Sequence, residues 1–401
     1  MTASTTCEYL VIGAGIVGLA IARELAFVRP DARIVVIDKE DTVGMHASGR
    51  NSGVLHAGFY YAPDSLKAQL TRDGNTMLRE FLQQANVPIR ECGKVVVASN
   101  ENQLPELDEL ERRGKANGVE LHSIDSRELN RLEPKARTTE RALWSPTTAV
   151  ADPIEVIRAL TQDVIARSVE LRFGEQVTSI TSGKVVTSHS RYSANHIINC
   201  AGLYADRVAT LAGLKHPYVM LPFKGLYWHS HLPQGFLTRH VYPVPDPKNP
   251  FLGVHATVMV NGEMKIGPTA IPALSRENYN TFKGVKGDEL FEMVRNLPRF
   301  LASPHHDAKK LVASEVSKYI KRKLVAQASQ LIPELKSSLF DHQLKPGIRA
   351  QLFDTSTKKL EMDFVINTQE NCTHILNAVS PAWTSSLAFA QYVIRGINLA
   401  N

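Results

Sequence analysis

The run from Leu10 to Ile21, LVIGAGIVGLAI, constrains this chain more than any other stretch. Apolar residues lead through Gly13, Gly15 and Gly18 into a segment with helical spacing, the pattern of a buried strand turning directly into a helix. Gly13 permits the tight turn, Gly15 lets a pyrophosphate approach backbone N–H groups at the positive helix end, and Gly18 lets that helix lie close on the sheet. The next apolar run, Arg33 to Asp38, ends in a carboxylate about twenty residues beyond Gly18, placed to hydrogen-bond a ribose hydroxyl. Strand, glycines, helix, strand and terminal acid in one unit predict a Rossmann-like α/β sheet that binds a dinucleotide. FAD and NAD share the adenosine and pyrophosphate half, so this unit leaves both open.

With 401 residues and 43% apolar content, the chain is long enough for two or three domains. It contains no run of about eighteen apolar residues that would cross a membrane. Met1 to Cys7 lacks the charged-then-apolar pattern of a leader, which makes the cytoplasm the expected location. Cys7, Cys92, Cys200 and Cys372 stand far apart with no CxxC pair, against a disulfide framework or a metal site. A net charge of +6, with no basic block interleaved with aromatics, excludes a nucleic-acid binder as the expectation and fits an anionic cofactor and substrate. The densest basic run, Lys318 to Lys323, reads as a solvated helix face or as a peripheral contact with an acidic lipid surface.

Taken in order, Ser65 to Ala85 and Asn102 to Gly118 have helical apolar faces, and Lys94 to Ala98 reads as a strand. Asp152, Pro153 and Glu155 open another helix with an N-cap acid, a proline at its first position and a reciprocal glutamate. Strands follow at 170–173, 184–187 and 196–199, and then a glycine turn at Gly202. Runs at 227–228, 239–244, 251–255 and 264–267, separated by Pro, Gly, Asp and Asn, predict an antiparallel sheet, with helices over 288–336. The expected architecture is a discontinuous dinucleotide-binding domain (1–90, 146–220 and 340–401) with an inserted α+β substrate domain (91–145 and 221–339).

The segment from Met45 to Tyr61, MHASGRNSGVLHAGFYY, is too rich in small residues for a helix interior and offers backbone against which a wide planar ring can lie. It resembles the HQTGHNSGVIHSGIYY motif of the L-2-hydroxyglutarate dehydrogenases and oxidases, within the D-amino-acid-oxidase-like superfamily of FAD-dependent oxidoreductases. Arg50 stands where that family usually has histidine. The resemblance continues through YPVPD at 242–246, PFLGVH at 250–255, IGP at 266–268 and GIRAQ at 347–351, so it covers nearly the whole chain in order. Thr269 and Lys224 replace the family's asparagine and arginine. What the resemblance implies is non-covalently held FAD, with Ser48, Asn51, Ser52 and Gly53 along the flavin segment, Val177 and Gly202 beside the cofactor, and Ser380, Ala382 and Thr384 at the start of a last helix. The positive end of that helix would stabilise charge on the reduced ring.

No second glycine fingerprint follows Gly18, which points to a small organic reductant and away from a nicotinamide. Oxidising an L-2-hydroxy acid, with L-2-hydroxyglutarate implied by the resemblance, removes a hydroxyl proton and passes hydride to flavin N5. A neutral imidazole suits the proton: His255 is the first candidate and His56 the second. Arg349 is the candidate carboxylate clamp, because a guanidinium grips both oxygens at once. Tyr242, Lys224 and Arg50 are candidates for the distal carboxylate, and Tyr60 for closing the pocket. Electrons would leave to a quinone or to oxygen. Two other readings stay open on the same fold: an amino-acid or amine oxidase, and a non-catalytic flavoprotein.

Overall fold

The structure, a computed structural model, describes residues 4–247, 249–280, 284–305 and 307–397. Strand β1 (Thr5–Ile12) runs through glycines into helix α1 (Ile16–Val28), and strand β2 (Ile34–Ile37) returns parallel to β1. Arg191–Asn199 lies parallel on the other side of β1, and Glu170–Arg172 continues the sheet beyond β2. Cys372–Asn377 adds a further parallel strand and Lys184–Thr187 an antiparallel one, within an eight-stranded sheet. Its two faces are covered, so β2 is buried at every position. One face packs on α1 and on the helices Leu66–Gln84, Pro153–Ala166 and Ala382–Gly396, with Leu19, Phe81, Leu160 and Phe389 in one core.

The second large sheet has eight strands, in the order 340–343, 228–230, 264–267, 255–258, 240–243, 94–97, 141–145, 122–125. It is antiparallel as expected save for one pair: Lys94–Val97 runs parallel to His240–Pro243. Alternation along its strands separates two faces. Val95, Val97, Val241, Ala256, Val258 and Ile266 pack on Leu324, Val325 and Ala328 of the helix Lys321–Leu331. Cross-strand register places Lys94, His240, Tyr242, His255, Thr257 and Lys265 on the opposite face, and all six are buried. In a separate four-stranded sheet, Tyr218–Gly225 pairs antiparallel with Gly347–Asp354.

Several expectations need correction. The segment 251–255 is not a strand that ends at His255; the strand begins there and runs to Val258. The expected boundary at 340 cuts through the second sheet, because Phe340–Gln343 pairs with Trp228–Ser230. Asp152 caps its helix through Ile154 and Glu155 N–H, but Glu155 makes no reciprocal bond and pairs with Arg158 instead. The basic run divides: Lys318 lies in the turn between the helices Ala308–Ser317 and Lys321–Leu331, and Lys321, Arg322 and Lys323 open the second helix, with Arg322 and Lys323 exposed. There Lys318 is buried against Glu315, and Lys321 donates to the Phe340 carbonyl, so only part of its charge faces water.

Candidate active site

A cavity of about 580 Å³ runs from the glycine turn after β1 to the four-stranded sheet, where Phe223, Gly225 and Arg349 line it. At one end are Gly13, Gly15 and Asp38, with Val177 and Gly202 beside them. Gly13 has φ +110°, and a Cβ there would meet the Cys200 carbonyl oxygen at 2.4 Å. Gly15 is different, since a Cβ on it would meet only the Ser48 side chain within 4 Å. Substitution at Gly15 therefore costs cavity space more than it disturbs the fold. Gly18 does not line the cavity: its hydrogen lies against the Gly13 carbonyl, where a Cβ would sit 1.9 Å from oxygen. It lets α1 pack, as its position in the motif requires.

Asp38 already receives two backbone hydrogen bonds, from Ala14 N–H at 2.7 Å and Glu40 N–H at 2.9 Å. The carboxylate thus braces the glycine turn while keeping lone pairs for a further donor. Ser48 Oγ accepts from Ile16 N–H at 2.9 Å and occupies the first turn of α1. Asn51 folds back on its own loop, donating to the Ser48 carbonyl at 2.7 Å and accepting from Gly53 N–H at 2.8 Å. Ser52 lines the cavity, whereas Gly53 does not; with φ +77° and the Ala151 carbonyl oxygen 2.2 Å from where a Cβ would sit, Gly53 serves the turn. Ser380, Ala382 and Thr384 complete this wall at the start of the last helix. Helix N-terminus, glycine cradle and the flanking polar side chains fit a dinucleotide as large as FAD.

At the other end the cavity meets His56, Tyr227 and Arg349. His56 is held by its backbone: its N–H donates to Thr384 Oγ1 at 3.1 Å, and its carbonyl accepts from Asn75 at 3.0 Å. Its imidazole is kept well below the ordinary histidine range, first by burial and then by the charges of Lys94, His255 and His240. The Arg349 guanidinium makes no hydrogen bond or ion pair among the described residues and lies 5.0 Å from the centre of the Phe251 ring. The cavity's carboxylates, Asp38, Glu175, Asp288 and Glu289, make no ion pair with it, which leaves this guanidinium free to pair with an anion.

His255 is not part of the cavity wall. It stacks on Tyr242 with ring centres 3.8 Å apart, and Nδ1–H donates to the Gly253 carbonyl at 2.8 Å, leaving Nε2 as the unprotonated nitrogen. Burial, with the charges of Lys94, Lys265 and Arg349, pushes it down to about 3. Lys224 is also absent from the wall, and register explains why. It pairs with Ile348, while Arg349 pairs with Phe223, so the two cations lie on opposite faces of the four-stranded sheet. The Lys224 ammonium donates to Asn278 Oδ1 at 3.2 Å and the Asn280 carbonyl at 2.8 Å. Arg50 lines the cavity, yet it donates to the Met45 carbonyl and stacks 4.1 Å from the Tyr279 ring centre. Tyr60 stacks on Phe59 with its hydroxyl buried.

Sequence reasoning missed the clamp at the cavity's rim. Lys39 bridges Glu40 and Glu277, at 2.7 Å to the latter, His46 bonds Glu40 and Tyr279, and Tyr204 donates to Glu277 at 2.6 Å. These residues come from segments far apart in the chain, and no local spacing reveals such a pairing.

The sequence profile of the FAD dependent oxidoreductases (DAO) matches residues 8–395, which defines the class. The chain is 36% identical to the mitochondrial L-2-hydroxyglutarate dehydrogenase of Caenorhabditis elegans, covering 96% of this chain and 92% of that one. It is 32% identical to the L-2-hydroxyglutarate dehydrogenase of Escherichia coli K12, covering 97% and 93%. Among solved structures, FAD-bound L-alpha-glycerophosphate oxidase from Mycoplasma pneumoniae superposes with a TM-score of 0.77 at 22% identity, over 98% of this chain and 95% of that one, a likeness of fold. The chain belongs to the FAD-dependent oxidoreductases of the DAO family, among the L-2-hydroxyglutarate dehydrogenases.

Proposed function

We propose that this protein oxidises L-2-hydroxyglutarate to 2-oxoglutarate, using FAD held without a covalent bond. The carrying observation is that one cavity joins the glycine cradle to an unpaired arginine and a half-buried histidine whose pKa is held well below the ordinary range. Bound FAD supplies the hydride acceptor. Arg349 takes the carboxylate next to the reacting carbon in a bidentate grip, which fixes the C–H bond in direction. His56 takes the hydroxyl proton, because its ring lines the cavity and His255 does not. Its depressed pKa keeps it neutral, and an arriving dianion offsets its cationic neighbours and strengthens it as a base. His255 stands behind it as a neutral partner of Tyr242.

Electrons then leave to a quinone or to oxygen. No helix among the described residues is long and apolar enough to cross a membrane. Val316, Tyr319 and Ile320 are exposed beside Arg322 and Lys323, a small apolar and basic corner that fits peripheral contact with an acidic lipid surface of the cytoplasm. The test is anaerobic mixing of the yellow protein with a panel of 2-hydroxy and 2-amino acids while flavin absorbance is followed. L-2-hydroxyglutarate is expected to bleach it fastest. Faster bleaching by a 2-amino acid moves the protein to the amino-acid oxidases, and flavin that stays on the chain after denaturation overturns non-covalent binding.

A further inference from the structure

Away from the cavity, the edge of the second sheet gathers nitrogen and oxygen donors that the reaction as described does not use. Trp228–Ser230 pairs antiparallel with the edge strand Phe340–Gln343, and His229 stands directly across from His342. Directly opposite residues share a sheet face, so the two imidazoles lie together, with ring centres 4.7 Å apart. In an unbroken strand Asp341 would point to the other face. The register shifts at this point: His342 pairs with His229 and Phe340 with Ser230, which leaves Asp341 as the extra residue of a β-bulge. The bulge turns its carboxylate to the histidines, 2.9 Å from His342 Nδ1 and 3.7 Å from His229 Nδ1.

The protonation of His229 is set from its other side. Its Nε2 lies 2.9 Å from a carboxylate oxygen of Glu263, at the start of the next strand. A carboxylate only accepts, so Nε2 carries the hydrogen and Nδ1 of the neutral ring presents a lone pair. That Nδ1 is buried and has no hydrogen-bond partner among the described residues. A carboxylate on the far nitrogen of an imidazole is the arrangement that orients metal-ligating histidines and raises their basicity.

We propose that His229 Nδ1, the His342 ring and the Asp341 carboxylate bind one divalent transition-metal ion of the zinc class, with Glu263 holding His229 in the ligating tautomer. The ion staples the edge strand to its neighbour. One donor atom from each of the three ligands lies within 4.8 Å of the other two. Tetrahedral bonds of about 2.0–2.1 Å set ligand atoms about 3.3 Å apart, so small rotations of the exposed Asp341 and His342 side chains close the set. Two imidazoles and a carboxylate suit zinc-like ions, whereas magnesium and calcium take oxygen donors. Lys265, in register with His229 on the inner side, does not fill the place of a cation here, because its ammonium lies over the Tyr227 ring, 5.1 Å from the centre. The other cluster with such spacing among the described residues, Glu40, His46 and Glu277, is already bridged by the Lys39 ammonium. None of the three proposed ligands lines the cavity, so the ion acts on the fold and takes no part in the oxidation.

The experiment titrates the FAD-loaded, tag-free chain, stripped of metal by a chelator, with Zn²⁺ in a calorimeter, and repeats the titration with Co²⁺ to read imidazole coordination in its absorption beyond the flavin band. The expected result is one zinc per chain with Kd of about 1 µM or tighter and no competition from Mg²⁺. Saturating zinc is expected to raise Tm by several degrees, because the ion binds the folded chain. His342→Ala, at an exposed position, is expected to weaken binding at least about a hundredfold, and Glu263→Gln about tenfold to a hundredfold with the stoichiometry kept. Flavin spectrum and circular dichroism check that both variants are folded. Wild-type chain that binds no zinc below about 100 µM overturns the proposal without any variant. So does binding that keeps its affinity in His342→Ala, or that is lost in His46→Ala, which would place the ion beside the cofactor wall. A Tm that zinc leaves unchanged or lowers overturns the staple.

Discussion

The two ends of the cavity are built from different material. At the glycine end the walls are backbone: Gly13, Gly15 and the first turn of α1, braced by Asp38 and Ser48 within a segment of about forty residues. At the other end they are side chains: His56 from the flavin segment, Arg349 from the four-stranded sheet, and behind them Lys94, Tyr242 and His255 from three strands of the second sheet. Backbone sites need particular residues at fixed local spacing. Side-chain sites need only that distant strands align, so their chemistry depends on register and burial.

That contrast is sharpest in flavin binding. Gly15→Val is expected to give colourless protein with at most a small loss of stability, because the added side chain projects at Ser48 and into the cavity, not into backbone. Absorbance at the flavin band per mole of purified chain measures this. Full occupancy in the variant would mean that the glycine end does not hold the dinucleotide by close backbone approach.

Next in size is the base. His56→Asn is expected to slow flavin reduction by about a hundredfold to ten-thousandfold, whereas His255→Asn slows it less. Stopped-flow reduction under anaerobic conditions separates them. The reduction rate is also expected to lack a histidine limb near pH 6.5, because burial holds both rings neutral well below that pH. A limb at that pH lost only in His255→Asn would return the role to His255.

Arg349→Lys comes third, with the flavin spectrum retained and turnover weakened about tenfold or more, roughly 1.4 kcal/mol, as the bidentate grip becomes a single contact. Steady-state kinetics with a diacid checks it, and unchanged kinetics would remove Arg349 from the site.

What is legible in the sequence follows the same division. The βαβ unit, the cap at Asp152 and the last helix are set by local spacing, and the fold class follows from them. Arg349 and His56 stand out because they sit in motifs. Lys94 reads only as the first residue of a strand. Its burial among aromatic rings comes from standing in register with His240 and under Tyr60, facts that arise when segments nearly 150 residues apart pair. Lys224 misleads for the same reason: its residue type suits an anion, but the pairing of Lys224 with Ile348 turns it away from Arg349.

Buried histidines on the polar sheet face also make stability sensitive to acid. His240 accepts from Val258 N–H at 3.1 Å and contacts Cys92 Sγ at 3.2 Å, and burial pushes it, like His255, down to about 3. A folded-state pKa below the unfolded value means that the unfolded chain binds more protons. This contribution to stability is complete above about pH 6.5 and is lost as pH falls toward 3, by about 1.4 kcal/mol per pH unit for each histidine. Denaturant unfolding at about pH 7 and about pH 5 is expected to show that loss, and His240→Gln to reduce the slope by one group's share. A slope unchanged in that variant would mean that His240 does not titrate on unfolding.

The smallest expected effect tests whether residue type or register decides a substrate contact. Lys224 is 2% exposed and is lowered by burial to about 8, as an anion-binding lysine would be. Its hydrogen bonds, however, go to Asn278 and to the Asn280 carbonyl, so its work is to fasten that loop to the four-stranded sheet. Lys224→Met is expected to lose about 1 kcal/mol from those bonds, a drop of a few degrees in Tm, while KM for the diacid and kcat stay within about twofold. A tenfold or larger rise in KM for the diacid in Lys224→Met, with a monoacid unaffected, would show that the loop at 278–280 yields its lysine to substrate. The second cation would then lie on the four-stranded sheet, one residue out of register with Arg349.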